Sequence, residues 1–229
     1  MNNLFLRPLA LLSFYFMSGL VQAEIITFQF EGVVTNSNKL TAFPIGQAVI
    51  GRYSFNSTVT DGNAGNTEQG TYDNVTLFTF TSGELTGIAS SETSAGNSFV
   101  EVIIVNRDSF FDPHRYEVFS PCANTPDDKC GVEAEGEELR RMRLVLQDSS
   151  EQAIQTIDLP ISPPDINDFD TREFGLIFEF DATNDPGVKF TISSLVEIET
   201  PEPPEEVDDS FLLDIVPAII DSQKLREKE

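Results

Sequence analysis

The sequence predicts an all-β fold, an antiparallel β-sandwich or jelly roll, followed by a short C-terminal amphipathic helix. Three observations carry this expectation. Short segments alternate apolar and polar residues with the period of two that a half-buried strand requires. Clusters of Gly, Asn, Asp, Ser and Pro punctuate these segments at short intervals, with no convincing helical period between them. The aromatic supply is lopsided, at 19 Phe, 4 Tyr and no Trp, and the Phe fall largely in alternating segments, which suits a core between facing sheets.

The chain opens with Arg7, an apolar stretch from Leu9 to Met17, and Val21-Gln22-Ala23 before Glu24. That order of charge, short apolar run and small residues is the layout of a cleavable secretory signal. The apolar stretch is shorter than the about 20 residues a spanning helix needs, and no Cys follows the cleavage point to take a lipid. Residues 1–23 are therefore set apart as a signal peptide, 24–199 as the β domain, 200–210 as a linker and 211–229 as an amphipathic tail.

Within the domain, Ile26, Phe28 and Phe30 alternate with Thr27, Gln29 and Glu31 as a first strand, and Gly32 marks a bulge or bend. Val49, Gly51, Tyr53 and Phe55 form a second. The polar stretch Asp61 to Gly70 reads as an exposed loop. Tyr72 to Ser82 reads as one strand, turning at Ser82-Gly83 into Glu84 to Ala89. Ser98 to Asp108 has apolar side chains on both faces, Phe99, Ile103 and Val105 against Val100, Val102 and Ile104, as a doubly covered inner strand would. Asp112-Pro113 turns the chain into Tyr116 to Phe119, and His114 reads as an exposed turn residue. Pro121 to Glu138, dense in acids, reads as a long solvated loop. Met142, Leu144 and Leu146 mark another half-buried strand. The prolines of LPISPPDINDFD forbid a regular central strand and suggest an extended crossover along the edge. Leu176, Phe178 and Phe180, then Val188, Phe190 and Ile192, give a final pair of strands about a turn at Asn184 to Gly187.

The formal charge of −24, from 38 Asp plus Glu against 14 Lys plus Arg, repels nucleic-acid phosphates and anionic lipids, which excludes nucleic acid as a partner. Cys122 and Cys130 are the two cysteines, and an oxidising compartment lets them pair. Closing so short a loop stabilises by roughly 2 to 3 kcal/mol in the chain-entropy account.

Past Thr200, TPEPPEEVDD is Pro- and acid-rich, and Phe211, Leu212, Ile215, Val216, Ile219 and Ile220 then share one helical face, kinked at Pro217. GRYSF at Gly51 to Phe55, VNRD at Val105 to Asp108, LPISPPDINDF at Leu159 to Phe169 and Pro201-Glu202-Pro203, together with the signal peptide, make the chain resemble bacterial exported proteins bearing a PEP-CTERM sorting signal. The resemblance implies a secreted β-rich protein associated with cell surfaces and extracellular matrix, and no catalytic residue. The tail departs from that pattern. Asp214, Pro217 and Asp221 interrupt the apolar segment, and a carboxylate at bilayer depth costs about 2.5 to 3.5 kcal/mol. No stable membrane insertion is expected.

Tested for chemistry, the chain has a single His and no G-x-S-x-G elbow or phosphate-cradling glycine loop. Two loops carry clustered oxygen donors of the kind a hard cation takes. These candidate calcium ligands are Asp165, Asn167, Asp168 and Asp170 in one loop, and Asp61, Asn63, Asn66 and Glu68 in the other. Neither completes an EF-hand, and Asx-rich loops also serve turns. No other cofactor is implied. The sequence thus points to a secreted, non-catalytic protein with a surface, matrix or adhesive role and with matrix or polysaccharide as partner. An extracellular carbohydrate-active hydrolase or lyase with a carboxylate pair and a small-ligand binding module stand as alternatives.

Overall fold

The computed structural model describes residues 23–38, 40–73, 75–89, 100–106, 113–122, 130–178 and 187–199. The expected signal peptide up to residue 22, the linker and the amphipathic tail lie outside them, as do Asp108, Asp112 and the turn at Asn184. The described residues form β1 (Ile25–Ser37), β2 (Ala48–Asn56), β3 (Gln69–Asp73), β4 (Val75–Ser82), β5 (Leu85–Ala89) and β6 (Glu101–Val105). These are followed by β7 (His114–Pro121), β8 (Glu133–Ala134), β9 (Glu137–Glu138), β10 (Arg141–Asp148), a single 3₁₀ turn at Ile166–Asp168, β11 (Thr171–Ile177) and β12 (Gly187–Ile198). Ten strands make one antiparallel sheet in the order β3-β6-β7-β10-β11-β12-β1-β2-β4-β5, and β8 and β9 form a separate small hairpin.

The all-β antiparallel expectation holds, and the two facing layers are halves of one curled sheet. β3 and β4 adjoin in sequence, but β3 is one edge strand and β4 is next to the other edge, β5, a crossing that works only if the sheet rolls over on itself. Two contacts show the roll. The Val75 amide donates to the Val100 carbonyl at 3.3 Å, and the hydroxyls of Tyr53 on β2 and Tyr116 on β7 meet at 2.9 Å.

Alternation places the large side chains inside. Along one transverse row Tyr72, Val102, Val118, Leu144, Phe174 and Phe190 follow one another in register across β3, β6, β7, β10, β11 and β12. From the opposite half Phe30, Phe78 and Phe80 reach across to Phe174, with ring centroids at 4.9, 6.0 and 5.7 Å, while Phe190 lies at 5.5 Å on its own side. Each buried Phe contributes about 1.5–3 kcal/mol by leaving water, and each aromatic pair about 0.5–1.5 kcal/mol more. Phe30 needs room for its ring, and Gly51 opposite supplies it. A Cβ at Gly51 would lie 2.0 Å from the Phe30 ring.

Several expectations change in detail. The expected single strand Tyr72 to Ser82 is two, β3 ending at Asp73 and β4 beginning at Val75, and they pair in different halves of the sheet. The Ser82-Gly83 hairpin is present, with Gly83 at φ 61 in the first central position, where a mirror-image turn needs glycine. The register also shifts at Glu31/Gly32, as the glycine suggested. The stretch 101–105 is an inner strand next to edge strand β3, with Val102 and Ile104 buried in the core and Val105 buried on the other face.

The acid-rich region after Pro121 corrects the expectation most. Instead of a solvated loop, its described part is a covering flap. Cys122 and Cys130 form a disulfide with Cα atoms 5.1 Å apart, and both are buried with Val132, Ala134 and Leu139. Glu133 and Glu135 face solvent while Val132 and Ala134 face inward, an alternation hidden by the density of acids. The Cys130 carbonyl accepts from Ile88 of edge strand β5. His114 is likewise corrected from an exposed turn residue to a buried one, 3% exposed, because β7 already begins at His114 and pairs it with Asp148.

Phe174→Ala is expected to lower unfolding free energy by about 3–5 kcal/mol in denaturant titration, the range for emptying a buried aromatic site. Val196→Ala, on a half-exposed outward position, should change it by less than about 0.5 kcal/mol.

Candidate functional site

On the outer face of the sheet, strands β7, β10 and β11 and the part of β12 up to Ser193 point their odd-numbered side chains outward, and here charges alternate from strand to strand. Glu117 on β7 is clamped by two arginines. Arg143 on β10 donates to it through Nε and Nη2 at 2.5 and 2.9 Å, and Arg115 Nε lies 3.0 Å away. Glu117 is thereby only 5% exposed although it faces outward. The hydrogen bonds from Arg143 to Glu117 outweigh burial and hold the guanidinium pKa above its ordinary value, with Glu173 adding to the effect. Glu173 on β11 accepts from Lys189 Nζ on β12 at 3.0 Å. The result is a ladder of cross-strand charge pairs, the sheet's counterpart of helical i,i+4 pairs.

Beside this ladder runs a groove of about 440 Å³. Gly175, Gly187 and Val145 line it together with Arg143, Glu173, Lys189 and the amides Asn36 and Asn38. It therefore offers donors and acceptors along an apolar strip. Further along the same face Arg141 lies over the Phe119 ring, 5.2 Å from its centroid. At the far edge, Glu101 on β6 stands opposite Asp73 on β3. Burial first, then Asp73 and Glu117, push the Glu101 carboxyl above its usual range.

The two candidate calcium loops are placed separately, and their oxygens hold backbone. Asp61 Oδ1 accepts from the Asn63 amide at 2.8 Å and the Thr71 amide at 2.9 Å, while the Gly62 amide donates to the Thr71 carbonyl. The loop thus satisfies the outward backbone groups of edge strand β3, where unpaired groups invite aggregation. Asn66 Oδ1 accepts from the Glu68 amide at 2.9 Å. In the other loop Asp165 caps the 3₁₀ turn by accepting from the Asn167 amide at 2.9 Å, Asp168 sits within that turn, and Asp170 accepts from the Ser149 amide at 3.2 Å. Among the described residues no group of three or more His, Cys, Asp or Glu gathers in a way that could hold a metal ion.

Other carboxylates that matter went unmarked in the sequence. Asp148, at the end of β10, is 2% exposed and accepts from the amides of Ser150, Gln152 and Ala153 at 2.7, 2.6 and 2.7 Å. Burial alone would raise its carboxyl, but the Ser150 side chain and these amides together outweigh it and bring it down to about 2. Glu135, at the tip of the β8–β9 hairpin, accepts from Thr41 Oγ1 and from the amides of Thr41 and Ala42, and the Thr41 side chain chiefly lowers its pKa. The signal for Asp148 was the run Asp-Ser-Ser at a strand end, a side-chain-capped turn.

No family model, curated protein or solved structure matches this chain.

A carboxyl whose pKa is depressed by folding stabilises the fold above its unfolded pKa and loses that contribution as pH falls through the folded value. Asp148 should therefore weaken the protein progressively between about pH 4, the unfolded value, and pH 2. Thermal melting of Asp148→Asn against the parent should show a lower midpoint at neutral pH and a difference that shrinks across this window.

Proposed function

We propose that this is a secreted, non-catalytic protein with a surface, matrix or adhesive role, and that it meets its partner through the outer face of β7, β10, β11 and β12. The observation that supports this most is the charge ladder beside the groove. In a chain of net charge −24, Arg115, Arg141, Arg143 and Lys189 all stand on this one face. Mixed donors and acceptors on a rigid sheet suit a polar polymer such as a matrix polysaccharide, whose hydroxyl groups use both. Asp61, Asp148, Asp165, Asp170 and Glu135 by contrast serve backbone amides.

Export is part of the proposal. The disulfide is compatible with an oxidising compartment, and among the described residues no helix is long and apolar enough to cross a membrane. One observation favours the hydrolase alternative, namely the raised Glu101 carboxyl opposite Asp73. These two acids adjoin across a strand pair, whereas glycoside hydrolysis sets its carboxylates on either side of a scissile bond.

Co-sedimentation of the intact chain with insoluble polysaccharide and matrix fractions tests the reading. Saturable retention is expected, weakened about fivefold, roughly 1 kcal/mol, by the double substitution Asn36→Ala and Lys189→Ala at two exposed groove positions. Absence of retention, or retention unaffected by the double substitution, would overturn it. Release of reducing sugar that Glu101→Gln abolishes would establish the enzyme instead.

A further inference from the structure

The long connection from β10 to β11, residues 149–170, folds back over one end of the core. Ile154, Ile166 and Phe169 are buried there, and Tyr72 of β3 donates its hydroxyl to the Ile157 carbonyl at 2.8 Å. Between this cover and the inner face of the sheet lies an open pocket of about 280 Å³. Its sheet side is Ile104 and Tyr116, and its cover side includes Ile154, Pro163, Pro164 and Phe169. The lining is chiefly apolar, with Asp158 as its single charged group.

Tyr116, which lines this wall, carries a buried hydroxyl. It pairs with the Tyr53 hydroxyl at 2.9 Å, and among the described residues neither hydroxyl has a second partner. Both residues are buried, 2% and 0% exposed. Two phenols carry two protons, and their mutual bond consumes one. The other proton has no acceptor among the described residues, and a buried donor favours gaining one.

We propose that this pocket is a binding site for a small, uncharged, largely apolar molecule carrying one hydrogen-bond acceptor, such as an aryl ketone, which accepts the leftover phenolic proton. The size fits a bicyclic ring, since a cavity of about 150 Å³ already admits benzene. Asp158 and the net charge of the chain repel anions, and the apolar lining penalises a desolvated cation. The site is separate from the outer-face groove and stands whether or not that groove binds a polymer.

Titration of the intact chain with the neutral, polarity-sensitive naphthyl ketone prodan tests this, with naphthalene as the matched ligand lacking an acceptor. One saturable site with blue-shifted emission is expected, and naphthalene should displace the probe. Ala153→Leu, which fills the wall, should weaken both ligands. Tyr116→Phe should weaken prodan about five- to tenfold, the worth of one hydrogen bond, and leave naphthalene unchanged. Lack of saturable emission, lack of displacement by naphthalene, or binding indifferent to both substitutions would overturn the proposal. Equal weakening of both ligands by Tyr116→Phe would overturn the role of the hydroxyl. If a substituted chain does not fold, direct binding and displacement on the unmodified chain decide the outcome.

Discussion

The packing of Phe174 against rings from the opposite half of the sheet is the contact on which the rest of the structure depends. A ten-stranded sheet left open would expose one apolar face, and the curl is the way this chain buries it without a second sheet. The interior must then be filled from both halves at once, and Phe30, Phe78 and Phe80 converge on Phe174 to fill it. The roll also explains the small residues. Gly51 lies beneath a ring that needs its space, and the Tyr53–Tyr116 pair crosses the gap between β2 and β7 with a polar contact inside the aromatic layer.

A chain this acidic must keep its carboxylates from opposing the fold, and it does so by giving many of them backbone to hold. Asp61 closes the outer edge of β3, Asp148 organises the turn after β10, Asp165 caps a 3₁₀ turn and Glu135 fastens the disulfide-bearing flap to the loop at Thr41. These are charge-assisted bonds to amides, stronger than neutral ones. The flap in turn covers one edge of the sheet at Ile88, while the Asp61 loop covers the other. Edge protection and charge management are therefore accomplished by the same residues. Glu117 is handled differently, between two guanidinium groups on the outer face.

Much of this was legible in the sequence, for a physical reason. The period-two patterns around Phe28, Tyr53, Leu144 and Phe190 fix which face is buried, because in a strand only alternation can do so. The hairpin at Gly83 and the irregularity at Gly32 were legible because glycine marks special backbone geometry. Strand order was not legible. Nothing local distinguishes Tyr72 from Phe78, yet they lie in opposite halves of the sheet, since pairing over long range is decided by the collective packing of the core. The flap at Cys130 was hidden because the segment from Pro121 to Glu138 carries six acids, and composition masked the inward Val132 and Ala134. For the sites, the Asp and Asn clusters were legible as oxygen-rich loops, but whether those oxygens face a cation or their own backbone depends on turn geometry that sequence does not spell out. Glu117 and Arg143 were unremarkable until the register of β7 on β10 set them side by side.

The functional proposals share this framework, one site on the charged outside of the roll and one beneath its proline-rich cover. Both require the sheet to behave as a single rigid body, and that is the central physical claim. Native-state hydrogen exchange over a range of denaturant tests it most directly. If the rings around Phe174 lock the two halves together, the slowest amides of β2 and β4 and those of β7 and β10 will open with one common free energy, equal to that of global unfolding. Two distinct free energies, with one half exchanging while the other stays protected, would contradict the account.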